Sequence, residues 1–146
     1  YPSIAKEHKE LSSKYNFLPN SIPNGAEEVA FFHQPGFLQG GDTISLRVRL
    51  PQKSIKLMLE DMHKESRTKV TDFTKLKAPH CYPEFGMKKP DSQNMFQGVG
   101  KLPNDFMVFL YASNLDDIKE NWNHNFLAFT AISPERCEVV YYAENW

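Results

Sequence analysis

Phe126-Leu-Ala-Phe-Thr-Ala-Ile132, Ser133-Pro-Glu-Arg136 and Cys137-Glu-Val-Val-Tyr-Tyr-Ala-Glu-Asn-Trp146 close the chain and decide its fold. Residues 126–132 are apolar on both alternating faces, as in a strand covered on both sides. In the closing strand Cys137, Val139, Tyr141 and Ala143 share one face, and Glu138, Val140, Tyr142 and Glu144 share the other. Pro134 sits where its fixed φ fits a type I turn, so the two strands read as an antiparallel hairpin. No earlier stretch is as dense in β-branched and aromatic residues.

Working back from the hairpin, Phe106 to Ala112 is apolar on both faces and reads as a central strand. Thr43 to Leu50 alternates strictly: Ile44, Leu46, Val48 and Leu50 on one side, Ser45, Arg47 and Arg49 on the other. The expectation is one buried face and one basic, solvated face. Glu28 to His33 is a shorter strand, stopped by Pro35-Gly36, and Thr68 to Thr74 is a further candidate through Val70 and Phe73.

Two helices are expected. Pro51 opens the stronger one, in which Ile55, Met58, Leu59 and Met62 form a single stripe, with Leu57 beside it. The other runs from Ser3, available as N-cap, to Tyr15, with Ile4, His8, Leu11 and Tyr15 at helical spacing. Residues 114–122 read as a short helical turn. From Lys75 to Asn104 the chain loses periodicity, and a span of ~30 residues is longer than ordinary connections, so it is a functional loop or packed irregular structure. The 146 residues make one α+β domain: a mainly antiparallel sheet, two helices packed on one face, and a long irregular loop.

Composition narrows the function. Seventeen Lys and Arg against eighteen Asp and Glu give a net charge of −1, without the basic excess that phosphate binding rewards, so nucleic acid is not expected. No apolar run approaches the ~18–20 residues that span a bilayer. The first residue is Tyr1 rather than Met, which leaves room for a removed signal, and the expectation leans to export. Cys81 and Cys137 are compatible with one disulfide in an oxidising compartment or with two quiet thiols in the cytosol.

No motif is specific enough to carry residues over from a known family. His8, His33, His63, His80 and His124 are scattered without ligand spacing, so neither a metal nor a cofactor is expected. Gly40-Gly41 and Gly98-Val-Gly100 lack the strand-to-helix setting of a phosphate loop. Asp116, Asp117 and Glu120 read as a solvated turn. What remains is an aromatic and amide corner of Trp122, Asn123, His124, Asn125, Tyr141, Tyr142 and Trp146, residue types suited either to an aromatic core or to recognition. Three functions are carried forward. The first is a non-enzymatic module binding a protein partner, through Trp122, Asn123, His124, Tyr142 and Trp146. The second is a small hydrolase or transferase using Cys81 as nucleophile with His80 or His124. The third is a carrier with an apolar ligand pocket between sheet and helix, beside Met58 and Met62.

Overall fold

A computed structural model describes residues 1–11, 16–36, 41–65, 69–70, 78, 80–86, 97–113 and 126–145. Six strands form one antiparallel sheet in the order β1-β2-β8-β7-β6-β3. They are β1 (Glu28–Gln34), β2 (Asp42–Arg49), β3 (Lys69–Val70), β6 (Met107–Ser113), β7 (Phe126–Ser133) and β8 (Glu138–Asn145). A separate two-stranded ribbon pairs β4 (Tyr82–Pro83) with β5 (Val99–Gly100). With helices α1 (Pro2–Leu11) and α2 (Gln52–Lys64), these elements make the expected α+β domain.

The hairpin forms as the sequence implies, from Phe126 opposite Asn145 to Ser133 opposite Glu138. Its four-residue turn ends at Cys137, which sits at φ 56 in the left-handed region without being glycine. The Cys137 carbonyl accepts the amide of Leu50 at 2.8 Å, tying the turn to the start of α2. β2 then pairs with β8 rather than with its sequence neighbours beyond α2, so the last strand lies inside the sheet. Every residue of β7 is buried, as befits a strand with neighbours on both sides and cover on both faces.

One face of the sheet carries the helices. Ile44, Leu46, Val48, Leu50, Phe109, Phe126, Ala128, Ile132, Val139, Tyr141 and Ala143 build this core with Ile55 of α2. Met58, Leu59 and Met62 pack against it, while Leu57 is left 52% exposed. Tyr1 and Ile4 bring α1 to the same layer. α1 begins at Pro2, one residue ahead of the expected cap Ser3, because proline suits the first helical turn. A β-bulge in β6 makes Tyr111 the extra residue and turns it to the helix side. There it stacks on Phe17 at 4.6 Å and donates its hydroxyl to Met62 Sδ at 3.5 Å.

The opposite face overturns one expectation. Ser45 and Arg47 do not face water: Ser45 is fully buried and Arg47 is 8% exposed. The described parts of the long irregular span cover them, as Ala78, Cys81, Tyr82 and Leu102, joined by Phe106 just beyond the span, cluster with Val108, Leu127, Phe129, Ala131, Val140 and Tyr142. Alternation cannot separate a wet face from one roofed by distant chain. The further strand expected over Thr68 to Thr74 is described only at Lys69–Val70, and the expected turn at 114–122 lies outside the described residues.

The strained turn residue gives a test. Left-handed φ costs a side-chain-bearing residue about 1–2 kcal/mol, partly offset in glycine by greater unfolded-state freedom. Cys137→Gly is expected to raise stability by about 0.5–1 kcal/mol in urea titration, with Cys137→Ala giving no gain.

Candidate functional site

The most developed polar cluster lies on the roofed face and grows out of strand register. Glu28 of β1 stands opposite Arg49 of β2, and Arg49 stands opposite Glu138 of β8. Arg47, two residues earlier on the same face, reaches Glu138 diagonally, a separation long side chains span. Its Nε and Nη2 donate to the two carboxylate oxygens of Glu138 at 3.0 and 2.9 Å, and Nη1 donates to the carbonyl of Pro83 at 3.0 Å. Tyr82 adds its hydroxyl to Glu138 at 2.7 Å, and Arg49 donates to it at 3.0 Å while also pairing with Glu28. The rings of Tyr82 and Phe85 lie 3.9 and 3.8 Å from the Arg47 guanidinium. The cation is thus held over aromatic faces as well as by its acceptors.

Burial pushes the Glu138 carboxyl up, but the donors from Arg47, Tyr82 and Arg49 outweigh it and hold the group below the usual carboxylate range. Tyr82 is pushed up to about 12 by burial and by its bond to Glu138. With its carboxylate accepting four donors, Glu138 has no evident capacity left for a substrate. The cluster can fasten the β4 segment to the sheet. It is not arranged for proton transfer.

At the other end of β8, Tyr142 is fully buried, packs on Phe129 and donates to Glu144, which also accepts from Thr43 at 3.5 Å. Burial raises Glu144 above the ordinary carboxylate value despite those donors. Of the corner named in the sequence, Tyr142 is therefore a core residue, while Trp122, Asn123, His124 and Trp146 lie outside the described residues.

Both cysteines are free thiols. Cys81 is 1% exposed beneath the roofed face, where its carbonyl accepts the Ser45 hydroxyl at 2.7 Å and burial pushes its thiol up to about 12. Cys137 packs from the turn towards the helix-side core, with Sγ 2.8 Å from Gln52 Oε1. No disulfide joins them, because the two residues belong to opposite layers. Cys81 is protonated at neutral pH in this environment and offers no nucleophilic thiolate. His124 lies outside the described residues, and no three His, Cys, Asp or Glu converge as a metal set among the described ones. An open groove of about 520 Å³ is lined by Pro2, Ser3, Lys6, Lys9 and Asn20, with Lys9 closed onto Asn20 at 2.6 Å.

β1 ends the sheet, with β2 on one side and no described strand on the other. Its seven residues, Glu28-Val-Ala-Phe-Phe-His-Gln34, contain no Lys, Pro or Gly, the residues that ordinarily guard an edge. Val29 is 37% exposed, Phe31 meets Tyr1 edge-to-face at 5.1 Å, and His33 contacts Asp42 at 3.1 Å. The far edge is formed by Lys69–Val70 and carries a lysine. Sequence reading found the β1 strand but not its edge position, which depends on β8 joining β2 across the whole chain.

No known protein family matches the chain, and no significant match occurs among curated proteins or among solved structures. Among the described residues no helix is long and apolar enough to cross a membrane.

Three measurements test these assignments. Glu138→Ala should lower stability by about 3–5 kcal/mol, because Arg47 is then buried unpaired, whereas replacing both partners by Met and Leu should cost far less. A depressed carboxyl pKa stabilises above the ordinary value of about 4.3, and that stability disappears as pH falls through the folded pKa. Glu138 and Asp105, also held low, act in this sense; Glu144, raised by burial, stabilises below its unfolded pKa and loses this as pH rises. Acid titration of unfolding free energy should therefore show a falling limb that shrinks in Glu138→Ala. In thiol labelling at neutral pH, Cys137 should react in the folded protein and Cys81 only on unfolding; rapid modification of Cys81 in the native state would revive the cysteine-enzyme reading.

Proposed function

We propose that this domain is a non-enzymatic protein-binding module that takes an extended segment of its partner along β1, adding a strand to the sheet. The observation that supports it is that β1 ends the sheet among the described strands and carries no Lys, Pro or Gly of its own. Main-chain hydrogen bonds along such an edge supply affinity, and alternate side chains supply selectivity. Here the added strand would lie beside Val29, Phe31 and His33 on the helix side and Ala30, Phe32 and Gln34 on the roofed side. The buried, protonated Cys81 argues against the hydrolase alternative. Against the apolar-carrier alternative stands the stripe of α2, which lies against the sheet with Met62 in contact with Tyr111.

The test is selection of random seven-residue peptides on the domain, immobilised sparsely so that copies do not meet. Selected peptides are expected to slow amide exchange in residues 28–34. Val29→Lys should weaken them by about tenfold, or ~1.4 kcal/mol. Binders that protect another surface, or the absence of any that protect β1, would sink the reading.

A further inference from the structure

We propose that Asn24 is a site of spontaneous covalent modification, at which its side-chain amide closes on the main-chain nitrogen of Gly25 and is lost as ammonia. Of the asparagines in the chain, Asn24 alone precedes a glycine. Asparagine is a thermolabile residue, and the fold leaves this one in a reactive setting.

The connector from α1 to β1 turns at Pro23-Asn-Gly-Ala26, where the amide of Ala26 donates to the carbonyl of Pro23 at 3.2 Å. Gly25 takes the third position at φ 81, the pattern of a type II turn. Asn24 and Gly25 are both exposed. Among the described residues the Asn24 carboxamide has no hydrogen-bond partner, and the Gly25 amide donates to no acceptor. Gly25 has no Cβ to shield its nitrogen. Asn20, in the same connector, is the contrast. Its Oδ1 accepts from Lys9 Nζ at 2.6 Å, and the residue that follows it, Ser21, does carry a Cβ.

The only co-reactant is water. The Gly25 nitrogen gives up its proton to solvent base and bonds to Cγ of Asn24. The bond from Cγ to the side-chain nitrogen breaks, and that nitrogen takes up a proton and departs as ammonia. A five-membered imide remains. Water then adds to one of its two carbonyl carbons and the ring opens. Opening at Cγ gives aspartate; opening at the main-chain carbonyl gives isoaspartate, with one extra methylene in the backbone. Either product places a new carboxylate close to Glu27 and Glu28 and takes the net charge one unit below its present −1. The isoaspartyl form also lengthens the chain just ahead of Glu27, whose amide donates to the Arg49 carbonyl at 2.9 Å. Ammonia is lost, so conversion runs one way and its extent records the age of the molecule.

The test is incubation of the full chain, folded and urea-unfolded, at neutral and mildly alkaline pH, followed by anion exchange and peptide mass spectrometry. In the folded chain Asn24 is expected to convert at least about tenfold faster than Asn20, and faster as pH rises. Its rate should stay within about tenfold of that in the unfolded chain. An isoaspartate-specific methyltransferase should label the acidic fraction at Asn24, and Asn24→Ser should abolish both the fraction and the label. Gly25→Ala, whose added Cβ would meet the Pro51 ring at an ordinary 3.7 Å, should slow conversion at least about tenfold. An Asn24 that converts in the unfolded chain but stays intact in the folded one would overturn the proposal, by showing that the turn protects it. So would an acidic fraction that persists in Asn24→Ser.

Discussion

The buried pair of Arg47 and Glu138 is the constraint around which the rest of this sheet is arranged. Removing a guanidinium and a carboxylate from water costs several kcal/mol per ion, and their attraction restores this only where every donor and acceptor is engaged. Here the requirement is met by four elements together. β2 and β8 bring the pair into register, β4 supplies the Tyr82 hydroxyl and the Pro83 carbonyl, and Arg49 links the carboxylate onward to Glu28 of β1. Register, roof and edge strand are therefore coupled. A slip of one residue between β2 and β8 would send Arg47 into the helix-side core, where Leu46 and Val48 now lie.

The two faces of the sheet are closed by different means. The helix side is closed by amphipathic packing, with the Ile55 stripe set into one apolar cluster with Leu46, Val48 and Val139, and it needs few polar contacts. The roofed side is closed by chain with little regular structure. Such chain must have its backbone polar groups satisfied where it is buried. The Ser45 hydroxyl on the Cys81 carbonyl and the Arg47 guanidinium on the Pro83 carbonyl do this. Polar side chains in the middle of β2 are thus a consequence of covering a sheet with loop rather than helix.

That difference sets what could be read from the sequence. Elements organised by local periodicity were legible: the Ile55, Met58, Leu59, Met62 stripe, the alternation of β2, and the two faces of the closing strand all match the structure. The Arg47–Glu138 cluster was half visible, since each residue had been placed on the correct face of its strand. Its burial was not, because it depends on Tyr82, Pro83 and Phe85 arriving from a span without periodicity. The recognition corner fared differently. Tyr142 had the composition of a binding residue and proved to be core, the alternative that aromatic composition alone leaves open. The β1 edge was missed because edge position belongs to strand order, which the local sequence of β1 does not encode.

Strand order in turn follows from how the sheet can assemble. The β7–β8 hairpin closes through four turn residues, and β1–β2 through a short connection, so both can form locally. Joining them places Arg47 against Glu138, 91 residues away in sequence. Closing a loop of that length costs about 4 kcal/mol of chain entropy before any contact is made. The first hairpin has two free edges until then, and docking on β8 can cover only that of β2. Whatever the chain does to protect β1 must therefore come from the strand's own residues or from outside the sheet. Its own residues offer Val, Ala, Phe and Phe where lysine or proline would deter pairing. An edge of this composition persists more readily with a partner than without one.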